Sequence, residues 1–345
     1  MPPPPDFTTL LAELTAVPGI SGHEDAIAAL MRDRLRQRAE SVTVDSLCNV
    51  VARFGPADAE RRVAVVAHLD TVGLMVKQVN GDSTLSITPV GGVNFKALPA
   101  AAVRVGDRPG VIGVRSQHLA QPGDTTPANA EDLYIEVGAG VDVEITTPIT
   151  YAPATIRMAS GLYASPYLDD RAGCAVLLAL AEALQPPENH AIYLVGSAQE
   201  ETTCAGAYHA LAGIRPHAAL FVDGTVSYDT PDTRGRGPVA LGQGPVLLSH
   251  LYVSGLNGWH AHPRLREHLK LVARASGIPY QQDAVRGLMS DARVATWLGI
   301  PSVVVGVPMR GKHAPLETIH LDDLQATFQL ILEFLNRPLP DLSRG

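Results

Sequence analysis

A three-layer α/β/α fold around a central mixed sheet, interrupted by a small β-barrel insert, is the architecture these 345 residues predict. Three observations predict it. Short apolar runs recur at 62–68 (RVAVVAH), 192–195 (IYLV), 218–222 (AALFV) and 302–307 (SVVVGV), and such runs suit strands buried on both faces. Between them lie stretches with apolar residues at helical spacing, and that alternation builds a sheet covered by helices. From about 71 to 161 the helical period vanishes, and short β runs alternate with turn signals. The expected division is a discontinuous main domain, 1–70 with 162–345, and a β insert over 71–161.

The helical elements carry recognisable signals. Leu10, Leu11 and Leu14 begin an apolar stripe. Ser21 with Glu24 reads as a capping box opening a helix whose buried face is Ile27, Leu30, Met31 and Leu35. A helix from Asp169 presents Val176, Leu177, Leu180 and Leu184 on one face and is stopped by Pro186-Pro187. Further helices are expected near 205–211, over 264–276 and 291–298, and finally over 321–335. The lesser strands are 42–44 and 50–52. In the insert, turns at Asn80-Gly81-Asp82, Gly91-Gly92, Gly106-Asp107, Arg108-Pro109-Gly110 and Pro122-Gly123-Asp124 separate β runs that include 103–105 and 110–113.

Composition excludes several function classes. A net charge of −8 without a basic stripe argues against nucleic acid and favours cationic groups in an acidic cleft. No apolar run of ~18 residues is present to span a membrane. The opening MPPPPDFTTL has neither the basic nor the apolar region of a signal peptide. Cys48, Cys174 and Cys204 are odd in number and far apart, which suits reduced thiols in a cytoplasm.

The ionisable residues just after the main strands carry the chemistry. They are His68 with Asp70, Glu200-Glu201, Asp223 and His313, with Asp169-Asp170 at a helix mouth. In open α/β sheets the carboxyl ends of strands are where ligands sit. Two adjacent carboxylates there are costly unless a cation holds them. Each residue alone has an ordinary reading: a satisfied strand-end histidine, a helix cap, a turn aspartate, a solvated Glu pair. Their gathering at one edge of one sheet is what points to a site. Imidazole and carboxylate donors without thiolate suit Zn²⁺ or Co²⁺, and this many donors suit two ions sharing a carboxylate. Asp70, two residues after His68, is expected to orient that imidazole.

The segments AHLDTVG, YLDDRAGC, AQEE, FVDGT, GIPYQ, GLMSDA and GVPMRGKHAPLE occur in the order of the tetrahedral aminopeptidases. The chain resembles that family of cytosolic co-catalytic metallopeptidases, which includes glutamyl and deblocking aminopeptidases, over nearly its whole length. The resemblance implies a PDZ-like barrel insert serving dimerisation and assembly, and homododecamers built from dimers. It implies two divalent ions per chain, Zn²⁺ or Co²⁺, with His68 on one, His313 on the other, Asp169 bridging, and Glu201 and Asp223 completing opposite sides. Glu200 would be the general base acting on a bridging hydroxide, with Asp70 as the supporting catalytic residue. Residues alone leave Asp169 and Asp170 open as the bridge. Asp169 is preferred because related enzymes place Gly four residues after it, as Gly173 is here.

The expected substrates are peptides, cleaved at their N-terminal residues. A deacylase or dipeptidase on the same site, or a non-catalytic peptide-binding scaffold, are the alternatives. Departures from the family pattern are Thr202-Thr203-Cys204 after AQEE, GLMSDA for GGTDA, Lys312 before His313, and His320 for an acidic residue. These put specificity in question, and no ligand is lost. The Trp259-His260-Ala261-His262 cluster is read as a structural or substrate-contact loop.

Overall fold

The structure, a computed structural model, describes residues 5–81, 83–114, 117–119, 129–140, 142–255 and 257–343. The turn expected at Pro122-Gly123-Asp124, and Asp82 of the turn Asn80-Gly81-Asp82, lie outside these residues.

In chain order the elements before the insert are α1 (Phe7–Thr15), α2 (Asp25–Leu35), β1 (Ser41–Val44), β2 (Val50–Phe54) and β3 (Arg62–His68). The insert contributes β4 (Gly73–Val79), β5 (Thr84–Val90), β6 (Ala102–Val105), β7 (Arg108–Ile112), β8 (Ile135–Glu136) and β9 (Pro148–Tyr151). Next come β10 (Ile156–Arg157), β11 (Leu162–Ser165), α3 (Leu168–Ala183), β12 (Ala191–Ser197), α4 (Ala205–Ile214) and β13 (Ala218–Val226). The rest are β14 (Val246–Tyr252), β15 (Gly258–His260), α5 (Pro263–Ala275), β16 (Gln281–Arg286), α6 (Ala292–Trp297), β17 (Ser302–Arg310), β18 (Glu317–His320) and α7 (Leu321–Leu335).

The central sheet is mixed. Its spine runs β1-β2-β12-β3-β13-β17-β18-β11-β10, with β14, β15 and β16 attached through β17. Strands β12, β3, β13 and β17 are mutually parallel neighbours, so their carboxyl ends share one edge. Their valines, leucines and alanines are buried except Val226 at the end of β13, as continuous apolar runs require. Helix α3 is buried on nearly every side because it packs on β3 and β13 while α1 and α7 cover it. Helices α4 and α6 touch each other and the strands around them.

The insert closes into a six-stranded antiparallel barrel in the order β4-β5-β8-β7-β6-β9. It has its own core, including Leu74, Val76, Ile87, Val103, Ile112 and Ile149. Residues 103–105 and 110–112 of the expected runs fall on the paired strands β6 and β7.

Some local expectations differ from the structure. Helix α2 begins at Asp25, and no capping box forms. Glu24 instead accepts the N–H of Gly22 at 2.8 Å and of Gln199 at 3.1 Å, bracing the loop before Glu200. Ser21 Oγ is engaged with Thr202 Oγ1 at 2.8 Å. Strands β13 and β17 run beyond Val222 and Val307 because their pairing continues to Val226 and Met309. Asp223 therefore lies within a strand rather than after one. Strands β10, β11, β14, β15, β16 and β18 were not expected. The His260 region is a hairpin strand in which buried Trp259 donates to Ser302 Oγ at 2.9 Å.

A candidate metal centre at the sheet edge

Register explains why distant residues converge. Ser197 pairs with His68, so the Gln199-Glu200-Glu201 turn leaves β12 level with the imidazole. Phe221 pairs with Val66, so Asp223, two residues on, stands level with His68 as well. His313 follows β17 at the same edge. Asp169 and Asp170 have non-helical dihedrals at the mouth of α3, which turns their carboxylates into the edge before helical geometry begins.

These groups form three donor trios: His68 with Glu200 and Glu201, and two that share Asp169. His68, Asp169 and Asp223 bring one ligand atom each within 4.8 Å of one another, and so do Asp169, Glu201 and His313. Asp169 belongs to both. Its Oδ1 lies 3.5 Å from His68 Nε2, and its Oδ2 lies 3.2 Å from His313 Nε2. His313 Nε2 is also 3.3 Å from Glu201 Oε1. Two donors bound tetrahedrally at ~2.0–2.1 Å to one ion would stand about 3.3 Å apart. The spacings fit that requirement. The buried Glu201 Oε1 and His313 Nε2 also lack a hydrogen bond of good geometry, as atoms reserved for a cation would.

Both imidazoles are oriented by main-chain carbonyls. His68 Nδ1 lies 3.0 Å from Asp70 O, and His313 Nδ1 lies 2.5 Å from Gly92 O. A carbonyl only accepts, so Nδ1 carries the proton and Nε2 is left for the cluster. Gly92 lies in the loop after β5, so the insert itself fixes one candidate donor. The expected orienter of His68, the Asp70 carboxylate, lies 3.7 Å away and does another task. Its two oxygens accept the N–H groups of Glu200 at 2.8 Å and Glu201 at 3.0 Å.

The edge is strongly anionic. Burial lowers the affinity of His68 and His313 for a proton, yet neighbouring carboxylates, Asp169 foremost, outweigh it and hold His313 up to about 11. Burial raises the Glu200 carboxyl well above its ordinary range, reinforced by Asp223, Glu201 and Asp291. Burial also raises Asp170, whose carboxylate accepts the Gly173 N–H at 2.9 Å and the His68 N–H at 3.3 Å. A field that favours protonated imidazoles favours divalent cations more, since attraction scales with charge.

A family model described as M42 glutamyl aminopeptidase matches residues 48–330. The chain belongs to that family. As an M42 aminopeptidase it is a hydrolase. It is 31% identical to a lysyl aminopeptidase of Pyrococcus furiosus over 96% of this chain and 97% of the relative. A solved aminopeptidase of the archaeon Desulfurococcus kamchatkensis superposes with a TM-score of 0.89 at 28% identity, covering 97% of this chain and 95% of that one. The TET1 peptidase of Pyrococcus horikoshii, described as able to assemble into a tetrahedron or a large octahedral shell, shares the fold with a TM-score of 0.84. That likeness covers 95% of this chain and 99% of that one at 24% identity.

Two further contributors to the candidate site, Glu317 and Asp291, were quoted only inside motifs, and Lys312 only as a departure from the family pattern. Glu317, the last residue of GVPMRGKHAPLE, accepts the N–H of Asp169 at 2.8 Å and of His313 at 2.6 Å. Asp291 of GLMSDA accepts from Ser197 Oγ at 2.6 Å and is pushed by burial to about 7. Lys312 extends its ammonium between Asp169 and Asp223. Glu317 carried no sequence signal, because one of its two partners, the Asp169 N–H, is far away in the chain. No helix among the described residues is long and apolar enough to cross a membrane.

Proposed function

We propose that the chain removes N-terminal residues from peptides using two divalent ions, Zn²⁺ or Co²⁺. His68, Asp169 and Asp223 would hold one ion, and Asp169, Glu201 and His313 the other. When bound, the pair would supply Lewis acidity toward the scissile carbonyl and make a nearby water more acidic. The single observation that carries this reading is the Asp169 carboxylate, with His68 near one oxygen and His313 near the other.

The remaining tasks fall to this chain's own side chains. Glu200, within reach of His68 and Glu201, takes a proton from the attacking water and returns it to the leaving amine. Asp70 fixes the main chain that presents Glu200 and Glu201. Glu317 fixes the main chain at Asp169 and His313 from behind. The surplus of carboxylates draws the substrate's α-ammonium group to the cleft.

Self-association extends this reading. A dodecameric TET1 structure has the same fold, and a barrel with its own core is suited to docking between subunits. We assign the enzyme to the cytoplasm, which suits the free thiols of Cys48, Cys174 and Cys204.

The test is a panel of aminoacyl and N-acyl chromogenic substrates after chelation, with and without added Zn²⁺ or Co²⁺. Metal-restored turnover confined to free N-termini supports an aminopeptidase, whereas preference for N-acyl groups identifies a deacylase. Light scattering on the same sample tests assembly, with a particle near twelve times 36.5 kDa expected.

A further inference from the structure

The Lys312 ammonium is the unusual cation of this site. Its Nζ lies 2.8 Å from Asp169 Oδ2, 3.3 Å from Asp223 Oδ1 and 2.9 Å from the Gly224 carbonyl. The ammonium donates to Asp223 and to the Gly224 carbonyl and forms an ion pair with Asp169. Its side chain is only 13% exposed, which makes this a built contact rather than a surface pairing.

Two of its carboxylate partners belong to the His68–Asp169–Asp223 trio, whereas only Asp169 belongs to the trio with Glu201 and His313. The ammonium thus neutralises two of three donors on one side and one of three on the other. A divalent ion entering the first trio must displace it or accept a like charge at contact distance. Lys312 also lines a cavity of about 460 Å³ with Tyr228, Met309 and Arg310, so its side chain has a place to turn when displaced.

We infer that Lys312 is a built-in competitor for one of the two ion positions. The Asp169–Glu201–His313 trio fills first and tightly, and the His68–Asp169–Asp223 trio fills only as Lys312 swings toward the cavity. Activity would then be gated by free metal concentration through one side chain. The inference rests on the two-ion reading above, and its test keeps the two apart.

Chelator-stripped protein is titrated with Co²⁺ alone, following heat by calorimetry and the visible spectrum of bound cobalt. The wild-type chain should show one tight and one weak step. Lys312→Met, similar in length and uncharged, should tighten the second step by about tenfold to a thousandfold, since one charge at this range shifts a neighbouring ionisation by ~1–3 pH units. Lys312→Gln serves where the Met variant is misfolded, and should act in the same direction. Two equally tight steps in the wild type, unchanged in either variant, would overturn the role of Lys312 and leave the two-ion reading intact. Cobalt binding by none of the proteins would overturn both.

Discussion

The Asp70 carboxylate takes the main-chain N–H of Glu200 on one oxygen, at 2.8 Å, while its other oxygen takes that of Glu201 at 3.0 Å. A single fully buried side chain therefore sets the backbone that presents both the proposed base and a proposed ligand. Asp70→Asn keeps the volume but turns one acceptor into a donor facing an N–H. Turnover should fall about 10–100-fold, the usual cost of losing an orienting partner. Kinetics with metal analysis checks it. Wild-type turnover in this variant would show that the Glu pair holds its own geometry.

Gly173 owes its place to Asp170. A Cβ there would collide with both Asp170 carboxylate oxygens, one of which is tied to the Gly173 N–H. The carboxylate cannot retreat without releasing His68 N–H as well. Gly173→Ala should destabilise the fold by about 1–3 kcal/mol, as overpacking in a rigid core does. Thermal unfolding of the metal-free chain measures it, and an unchanged Tm would contradict the packing argument.

Arg310 and Asp229 form a two-pronged pair, with Nε to Oδ1 at 3.0 Å and Nη2 to Oδ2 at 2.6 Å. Hydrogen bonding to Arg310 chiefly holds the Asp229 carboxyl down at about 2. A depressed carboxyl stabilises the fold above its unfolded value near 3.8 and loses that effect as pH falls toward 2. Both side chains are partly in water, so the effect is on the order of 1 kcal/mol. Asp229→Asn should be less stable by that amount at pH 6–7, with the gap closing below about pH 4. Urea titrations across this range check it. A gap that stays constant with pH would contradict it.

Much of this molecule was legible before any coordinates. The parallel strands β3, β12, β13 and β17 announced themselves as apolar runs, because burial on both faces leaves no room for polar residues. That placed His68, Glu200, Glu201 and His313 at one edge. Asp223 was found for a slightly wrong reason, since β13 continues past it. Strand β16 (QQDAVR) is largely exposed or half-buried, and its partner in β14 is fixed by tertiary pairing rather than periodicity. Strand β18 (ETIH) is four residues long and too short to carry a period. The apparent capping box at Ser21 failed because Glu24 has a better use holding the Gln199 loop. The work of Asp70 and Glu317 was hidden for a common reason. Each accepts main-chain N–H groups from residues far away in sequence, and no local pattern encodes that.

The central claim is that adjacent glutamates divide base and ligand duties between them. Glu200→Gln and Glu201→Gln, each assayed for metal content and turnover number on one good substrate, test it most directly. Glu200→Gln keeps its shape but cannot accept the proton, so it should stay metal-replete and lose ~10²–10⁴-fold in rate. Glu201→Gln trades an anionic donor for a neutral one and should be metal-poor. The reverse pattern would exchange the two roles, and two metal-replete, fully active variants would contradict the site as a whole.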